Sequence, residues 1–442
     1  MTDPAGRTGV RSTGIIFLVL FLDLIGFSIV FPLFAEMLKF YGGQHGGLLS
    51  QGMDALQALL PGTDPGQRAA LFGGVMGGLY AGLQFIAAPW WGRLSDRIGR
   101  RPVILWSLTG SVVAYGMWIF AGDFSVFVIS RIIAGVMSGN VSAANAAMAD
   151  ITTPETRGKG MAFVGMAFGL GFICGPALGG LTSHLTFSST AYGLNPFSVP
   201  ALIAFSLCLF NLVWAYLKFA ETLPPERRGK AEVARTINPL AMFSRELGAD
   251  VPRINGAFLL HTAIFSAMES TLVFLAAHQC GFTPMDAGYL FAGMGLASAM
   301  IQGGVFRRLV TRLGPRTLTL WGLLSLVPGL ILVGLVGWIP SSGLLIAGVL
   351  TLAIGTGLVF PGLSTLVSLG ADPRHQGWVM GSFRSAGALG RAIGPLFGAV
   401  VYFAIAPGAP YLLGALAIIS PWLLVRGLPL HRAPSDERTA AS

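Results

Sequence analysis

Residues 92–102 of the chain are GRLSDRIGRRP, and they lie between two long apolar runs. Two glycines allow a tight reversal between helices, and Pro102 suits the first turn of a following helix. The four arginines suit the anionic cytoplasmic leaflet of a membrane. Asp96 is less easily explained by topology, because an acid there needs an arginine or a helix N-terminus as its partner. The segment predicts a cytoplasmic turn in a membrane protein.

The composition excludes an ordinary soluble globular protein. The 442 residues are 53% apolar and only 11% charged, and the mean hydropathy is +0.70, whereas soluble domains contain about 25% charged residues. The net charge of +9 forms no patch, so we expect no nucleic-acid partner. The sequence contains no Walker loop, zinc-ligand spacing, nucleophile elbow or redox cysteine pair. We therefore expect no enzyme activity, no catalytic residue, no metal and no cofactor.

Twelve apolar runs are long enough to cross a bilayer, which takes about 20 residues. Asp23 interrupts the first run and no small-residue cleavage site follows it, so we expect an uncleaved helix rather than a signal peptide. The pattern predicts an all-α membrane protein. The predicted spans lie near residues 15–38, 69–91, 103–122, 124–149, 161–183, 197–219, 255–277, 286–306, 317–337, 344–369, 379–406 and 410–426.

Basic residues segregate to one side of these spans. With the N-terminus in the cytoplasm, the inside segments hold 23 of the 28 Lys and Arg residues, and the outside loops hold only Lys39 and Arg68. Cytoplasmic loops of membrane proteins carry such an excess. We expect a multi-pass protein of the cell inner (plasma) membrane with both termini in the cytoplasm.

A weak internal repeat divides the chain into two halves. The motif GxxxGPxxG begins at Gly171 in span five and again at Gly390 in span eleven, and RIGRR at 97–101 is echoed by RLGPR at 312–316. Duplicated halves are typical of transporters whose substrate binds at the interface between the repeats. We predict an N-terminal six-helix bundle over 1–219, a polar cytoplasmic linker over 220–254, and a C-terminal six-helix bundle with a short cytoplasmic tail over 255–442.

Residues 92–102 resemble the signature loop of the major facilitator superfamily, G-x-L-x-D-R-x-G-R-R/K-P. The resemblance implies twelve helices in two pseudo-symmetric bundles that this loop helps to latch together on the cytoplasmic side. It further implies that Asp96 faces the start of span eleven and that an arginine of the loop pairs with Asp150. The second copy of the loop has Thr311 in place of the aspartate, so we expect a weaker second latch. The residues assigned to the latch are Gly92, Asp96, Arg97, Gly99, Arg100, Arg101 and Asp150.

The glycine motif of span five resembles the one found in the twelve-span drug:proton antiporters of this superfamily, which include tetracycline exporters. Glycines four residues apart let a neighbouring helix approach closely, and a proline inside a helix can bend it. We expect both effects to shape a gate, with ordinary helix packing as the alternative. The residues assigned to it are Gly171, Gly175, Pro176 and Gly179, with Gly394 and Pro395 in the second copy.

Three charged residues within the spans are candidates for proton coupling. Span one resembles that of the same antiporters, which carry an aspartate where this chain has Asp23. Burial favours the neutral form of a carboxyl, so Asp23 can load and release a proton. Arg131 resembles the arginine of the family's R-x-x-x-G element in span four, and Glu269 is the one acid deep in the second half. The alternatives are a hydrogen-bonded structural acid for Asp23, an arginine that extends outward for Arg131, and binding of a cationic substrate for Glu269.

Other polar residues in the spans predict a central cavity. Arg391 lies inside the repeated glycine motif and can balance an acid or meet an anionic substrate, whereas Arg384 is expected to reach the cytoplasmic interface. Each of the remaining residues has an interhelical hydrogen bond as its alternative role. The cavity candidates are Gln84, Asn140, Asn145, His261, Gln302 and Arg391.

The resemblance implies proton-coupled efflux of small amphipathic molecules or drugs by alternating access. The alternative is proton-coupled or facilitated uptake of a small metabolite such as an organic anion, which the buried arginines favour. A non-transporting membrane receptor or assembly factor is the third hypothesis. We expect a monomer in the lipid bilayer whose partners are a small-molecule substrate and protons.

Overall fold

The computed structural model describes residues 4–30, 33–42, 49, 65–182, 185–187, 193–228, 239–282, 284–372 and 375–429. Within these ranges the chain is helical and contains no strand. The helices of the first half are α1 Pro4–Ser28, α2 Phe34–Gly42, α3 Pro65–Ile98, α4 Arg100–Ile119, α5 Phe124–Val136, α6 Asn140–Asp150, α7 Arg157–Thr182 and α8 Ser198–Lys218.

The second half begins after three short 3₁₀ turns, Pro225–Arg227, Pro239–Phe243 and Arg245–Leu247, which lie in the predicted linker. Its helices are α9 Val251–Cys280, α10 Pro284–Met300, α11 Arg307–Leu335, α12 Ser342–Leu369, α13 Gln376–Ala404, α14 Ala409–Ala417 and α15 Ile419–Arg426. A π-helical segment, Ile301–Phe306, joins α10 to α11.

Each predicted apolar run coincides with one helix or with two consecutive helices. By length and hydropathy, nine helical stretches of the described residues can cross a membrane. One of the nine, Asp286–Leu335, is 50 residues long and covers two predicted spans, and the first run contains the shorter apolar helix Thr13–Ser28. The helix α3 is 34 residues long and is the remaining predicted span. The twelve-span prediction is therefore matched helix by helix.

The prediction that residues 92–102 form a loop is wrong for most of that segment. The helix α3 continues to Ile98, and only Gly99, with a φ of 109°, reverses the chain before α4. Such a φ is accessible to glycine and strained for other residues. Gly92 is instead an interior helix position where another backbone approaches closely.

Span four is split into α5 and α6 at the point where a side chain of α3 contacts it. The indole Nε1 of Trp91 donates a hydrogen bond to the carbonyl of Val136 at 2.6 Å. Gly139 follows in the break and lies against the same ring, leaving no room for a Cβ. Because an outside donor occupies the Val136 carbonyl, the helix is interrupted at this point.

The repeated glycine motif has the same packing role in both halves. In the first half, Gly171 and Gly175 of α7 lie against α1, where Ser28 Oγ donates a 3.1 Å hydrogen bond to the Gly171 carbonyl. In the second half, Gly390 and Gly394 of α13 lie against the backbone of α9. Each copy thus joins the fifth span of its half to the first span, as expected for two pseudo-symmetric six-helix bundles.

Helices of the two bundles pack against each other along two seams. The helix α3 runs antiparallel along α13, and α7 packs against α10 and α12. Along the first seam, Gly92 meets Gly377 and Gly78 meets Ala392. We call the end of the molecule that carries Asp96 the Asp96 end.

Candidate functional site

Asp96 connects the two bundles by accepting hydrogen bonds from the start of α13. Its Oδ1 accepts from the backbone N–H of Gly377 at 2.9 Å, and its Oδ2 accepts from that of Trp378 at 2.8 Å. The first N–H groups of a helix have no partner within the helix, and the helix dipole favours a negative charge there. The carboxylate is 4% exposed, so the contact is shielded from water.

Arg100 ties this carboxylate to the end of span four. Its Nη1 lies 2.6 Å from Asp96 Oδ1 and its Nε lies 2.9 Å from Asp150 Oδ2. The guanidinium is fully buried. The two acids carry one more charge than Arg100 neutralises, and the N–H groups at the start of α13 offset the excess negative charge. The structure thus places Asp96 and Asp150 as the resemblance implied, and it identifies the arginine.

Glu221, which the sequence analysis did not select, supports this network. Its carboxylate accepts from the backbone N–H groups of Arg100 at 2.9 Å and Arg101 at 3.2 Å, and so caps α4. Gly99 supplies no capping side chain, and a Cβ there would collide with Glu221. The signal available in the sequence was a helix start without a Ser, Thr, Asp or Asn at its N-cap.

Two arginines assigned to the latch, Arg97 and Arg101, do not join this network. Arg97 is exposed. Arg101 donates from Nη2 to the Tyr216 carbonyl at 2.7 Å and lies over the ring of Tyr216. In the described part of the chain, neither side chain forms a hydrogen bond or an ion pair with the second bundle.

The corresponding contact of the second half is made by uncharged side chains and one arginine. Val310, next to Thr311, packs against Gly158 near the start of α7. Arg157 Nη1 donates to Ser368 Oγ at 2.6 Å, and Gln376 also donates to that hydroxyl at 2.6 Å. No acid of the described residues pairs with Arg157 at this place, consistent with an unequal pair of latches.

Arg131 lies deep in the first bundle, surrounded by aromatic rings. Its guanidinium carbon is 4.8 Å from the ring of Trp118 and 5.5 Å from the rings of Tyr115 and Phe127. The residue is 3% exposed, and its Nη2 has no hydrogen-bond partner in the described part of the chain. The structure therefore excludes an arginine that extends outward to the membrane surface.

Asp23 lies in the same electrostatic neighbourhood. Both Asp23 and Arg131 interact electrostatically with the hydroxyls of Tyr80 and Tyr115. Tyr115 approaches α1 closely, because a Cβ on Gly26 would lie 3.0 Å from its hydroxyl. The acid and the cation of the first half thus have two tyrosines, Tyr80 and Tyr115, as common neighbours.

Tyr80 also links this group to charges of the second bundle. Arg391 Nη2 donates a short hydrogen bond to Gln84 Oε1 across the interface, and Arg391 interacts electrostatically with Tyr80 and Glu269. Tyr80 and Gln84 are one turn apart on α3 and share a face. Tyr80, Arg391 and Glu269 are partly rather than fully buried.

Arg384 occupies a different place from the one expected. It does not reach the interface, because it is 3% exposed and its guanidinium stacks on Phe168 of α7 at 4.0 Å, with Phe360 of α12 at 5.6 Å. Among the described residues no acidic side chain forms an ion pair with it. Rings from both bundles thus hold a cation that has no anionic partner in the described part of the chain.

The remaining cavity candidates are scattered. Gln302 Oε1 lies against Gly165, between α7 and α10, and has no hydrogen donor among the described residues. His261 and Asn145 are buried in α9 and α6, each with one polar atom without a described partner. The side chain of Asn140 lies outside the described part of the chain. Of the predicted cavity set, Gln84 and Arg391 are in direct contact.

The chain resembles known proteins over most of its length. The family model described as Major Facilitator Superfamily matches residues 16–395. The Major facilitator superfamily domain-containing protein 10 of Bos taurus is 35% identical over 442 residues, covering 95% of this chain and 93% of that protein. The class B tetracycline resistance protein of Escherichia coli is 29% identical over 329 residues, covering 74% and 78%.

A solved structure agrees in fold. The crystal structure of the human organic anion transporter MFSD10 (TETRAN) superposes with a TM-score of 0.84 at 32% identity, covering 96% of this chain and 100% of that one. The matched region contains the signature segment at 92–102, both bundles and the interface between them. The chain belongs to the major facilitator superfamily of membrane transporters.

Proposed function

We propose that the chain is a proton-coupled secondary transporter of small amphipathic molecules, with an organic anion as the substrate class. The observation that carries the proposal is Arg384, a buried guanidinium held by Phe168 and Phe360 without a described acidic partner. An uncompensated buried charge is costly in a membrane protein and marks a functional site. A carboxylate on Arg384 offsets that cost, and the two rings suit an apolar body.

Arg391 is the second contact for the anion. It lies seven residues from Arg384 on α13, so both project from one face of the helix. Its described partner is the neutral amide of Gln84, contributed by the other bundle. A substrate between Arg384 and Arg391 contacts both bundles, which fits transport by alternating access.

Asp23 and Glu269 are the proposed proton sites. Asp23 shares Tyr80 and Tyr115 with Arg131 in the first bundle, and Glu269 interacts electrostatically with Arg391 in the second. Protonation of either acid changes the net charge of the cavity. In this scheme the Asp96 latch keeps the cytoplasmic side closed. When the latch opens, the transporter adopts the conformation that is open to the cytoplasm.

Export in exchange for protons is the first candidate direction. The span-five motif with Gly175 and Pro176 resembles that of drug:proton antiporters, and the similar proteins include tetracycline resistance proteins. In this direction, substrate would leave the cell as protons enter from outside.

Uptake together with protons is the second candidate, and the position of Glu269 favours it. An ionised Glu269 offsets Arg391, whereas a protonated Glu269 leaves Arg391 free to hold an anion. Proton and anion would then bind together, which is the requirement for symport.

The test is transport by the purified full chain in vesicles under an imposed pH gradient. Three probes of equal size carry an anionic, a neutral or a cationic group. We expect the anionic probe to move. It should accumulate on the acidic side if it is exchanged for protons and on the alkaline side if it moves together with them. Arg384→Gln should abolish anion transport, while Arg227→Gln, at an exposed position, should not. Equal movement of all three probes, or no effect of Arg384→Gln, contradicts the proposal.

A further inference from the structure

A groove of about 390 Å³ lies on the outside of the seam between the bundles, where α7 meets α10. Phe163 and Met166 form its wall on α7, and Met300, Gly304 and Arg307 form the opposite wall. We call it the α7–α10 groove. It is separate from the proposed substrate site, because Phe168 projects from a different face of α7 than Met166.

The backbone of the second bundle creates this space. The π-helical segment Ile301–Phe306 follows α10, and it contains two consecutive glycines. A Cβ on Gly304 would meet no atom within 4 Å. Met300, one turn before, is 61% exposed. The two glycines leave this wide turn without side chains, and the exposed apolar side chain of Met300 lies beside it. Together they leave a channel that an acyl chain can fill.

The charge of the groove is confined to one end. Arg307 lies at its mouth on the Asp96 end, exposed and 4.8 Å above the ring of Phe163. Lys159 lies one turn before Phe163 on α7, so it projects toward the same end. The remaining lining side chains are apolar. An apolar channel with cations at one end matches a molecule with a hydrocarbon chain and an anionic head.

We propose that the α7–α10 groove binds an anionic phospholipid of the cytoplasmic leaflet. The acyl chain lies between Met166 and Met300, and the phosphate lies beside Arg307 and Lys159. Basic residues at the membrane surface attract anionic lipids by about 1 kcal/mol each, and the ring of Phe163 holds the guanidinium in place. The lipid contacts both bundles, so its binding depends on the spacing between α7 and α10.

Native mass spectrometry of the purified full chain tests the proposal. The chain is incubated with equal amounts of phosphatidylglycerol and phosphatidylcholine with identical acyl chains. We expect preferential retention of phosphatidylglycerol, reduced roughly fivefold by Arg307→Gln. Arg426→Gln is the matched control, because Arg426 is also exposed and stacked on an aromatic ring, Trp422, away from the groove. Equal retention of both lipids by the wild type overturns the proposal.

A second pair of variants tests the groove without changing charge. Gly304→Leu fills the channel and should lower retention of both lipids, whereas Gly14→Leu, which also has open space around it, should not. Unchanged retention by Gly304→Leu overturns the proposal, and if that variant does not fold the arginine pair decides. A third outcome is that the anionic transport probe displaces the lipid and that the chain shows no preference between the two headgroups. That outcome would indicate an entry for substrate and would also overturn the proposal.

Discussion

The carboxylate of Asp96 accepts a hydrogen bond from the backbone N–H of Gly377 at 2.9 Å, across the interface between the two bundles. The two residues lie far apart in the sequence but adjacent at the Asp96 end. Arg100 holds the same carboxylate from its own side at 2.6 Å. One carboxylate therefore closes the interface at this end, because it caps the start of α13 and also pairs with Arg100.

Asp96→Asn should favour opening at the Asp96 end. The change removes the charge at the start of α13 and leaves Arg100 with Asp150 alone. The charge-assisted hydrogen bonds to the Gly377 and Trp378 N–H groups cross between the bundles and contribute about 2 kcal/mol, enough to shift a two-state population by roughly thirtyfold. Distances between spin labels on α3 and α13 measure the opening. Arg97→Gln, in the same segment but exposed, is the control, and unchanged distances in Asp96→Asn would refute the latch.

Glu221→Gln should lower stability without abolishing transport. The carboxylate caps α4 through the N–H groups of Arg100 and Arg101, and a charged cap contributes about 1 kcal/mol. We expect a lower thermal midpoint and a retained transport rate. Glu226→Gln, at an exposed position, should change neither. If Glu221→Gln stops transport at unchanged stability, Glu221 acts in the gate itself.

Gly175→Ala should disturb the packing of α7 on α1. A Cβ there would collide with Ser28 Oγ and lie 2.9 Å from the Ile25 carbonyl. Overpacking of this kind costs typically 1–3 kcal/mol. Gly180→Ala, on the same helix with open space, is the control. We expect reduced thermal stability and transport for Gly175→Ala, partly restored by Ser28→Gly, and a neutral Gly175→Ala would show that the close contact is not required.

Glu269→Gln should strengthen binding of an organic anion at neutral pH. The substitution mimics the protonated acid and leaves Arg391 without its negative neighbour. A charge–charge interaction at a partly exposed site is worth about 1 kcal/mol, or roughly fivefold in affinity. In the wild type, affinity should rise as the pH falls, because protonation removes the negative charge, and the variant should lose this dependence. Binding measured by quenching of Trp fluorescence checks both, with Glu36→Gln as control.

Asp23→Asn should uncouple transport from the pH gradient. The acid shares Tyr80 and Tyr115 with Arg131 and is the proposed proton site of the first bundle. We expect downhill movement of the anionic probe to persist while accumulation against its gradient is lost. Wild-type accumulation by Asp23→Asn under a pH gradient would show that Asp23 carries no transported proton.

Most of the fold could be predicted from local sequence features. Long apolar runs and the glycine motifs at Gly171 and Gly390 depend only on residue type and spacing, so they predicted the spans and the duplication. Helix ends were less predictable. The helix α3 extends to Ile98 because residues 92–98 remain helical when they pack against α13. This packing joins residues that are far apart in the sequence, so local sequence features do not show it.

The candidate site was predictable only in part. Asp96 was found because a signature motif carries it, and Asp150 because the family resemblance implies an acid at the end of span four. Glu221 was not found, since it caps a helix that is distant in the sequence. Arg384 was placed at the membrane interface, because spacing along one helix cannot show that Phe168 and Phe360 from other helices cover it.

The sequence by itself determined that this chain is a twelve-span, duplicated membrane protein with a charged latch segment, because hydropathy, spacing and residue type are properties of the chain. The tertiary structure decided which charges meet. It joined Asp96 to Gly377, Arg391 to Gln84, and Arg384 to Phe168. Each of these contacts crosses between bundles, and the pairing of two helix faces depends on the packing of all their neighbours.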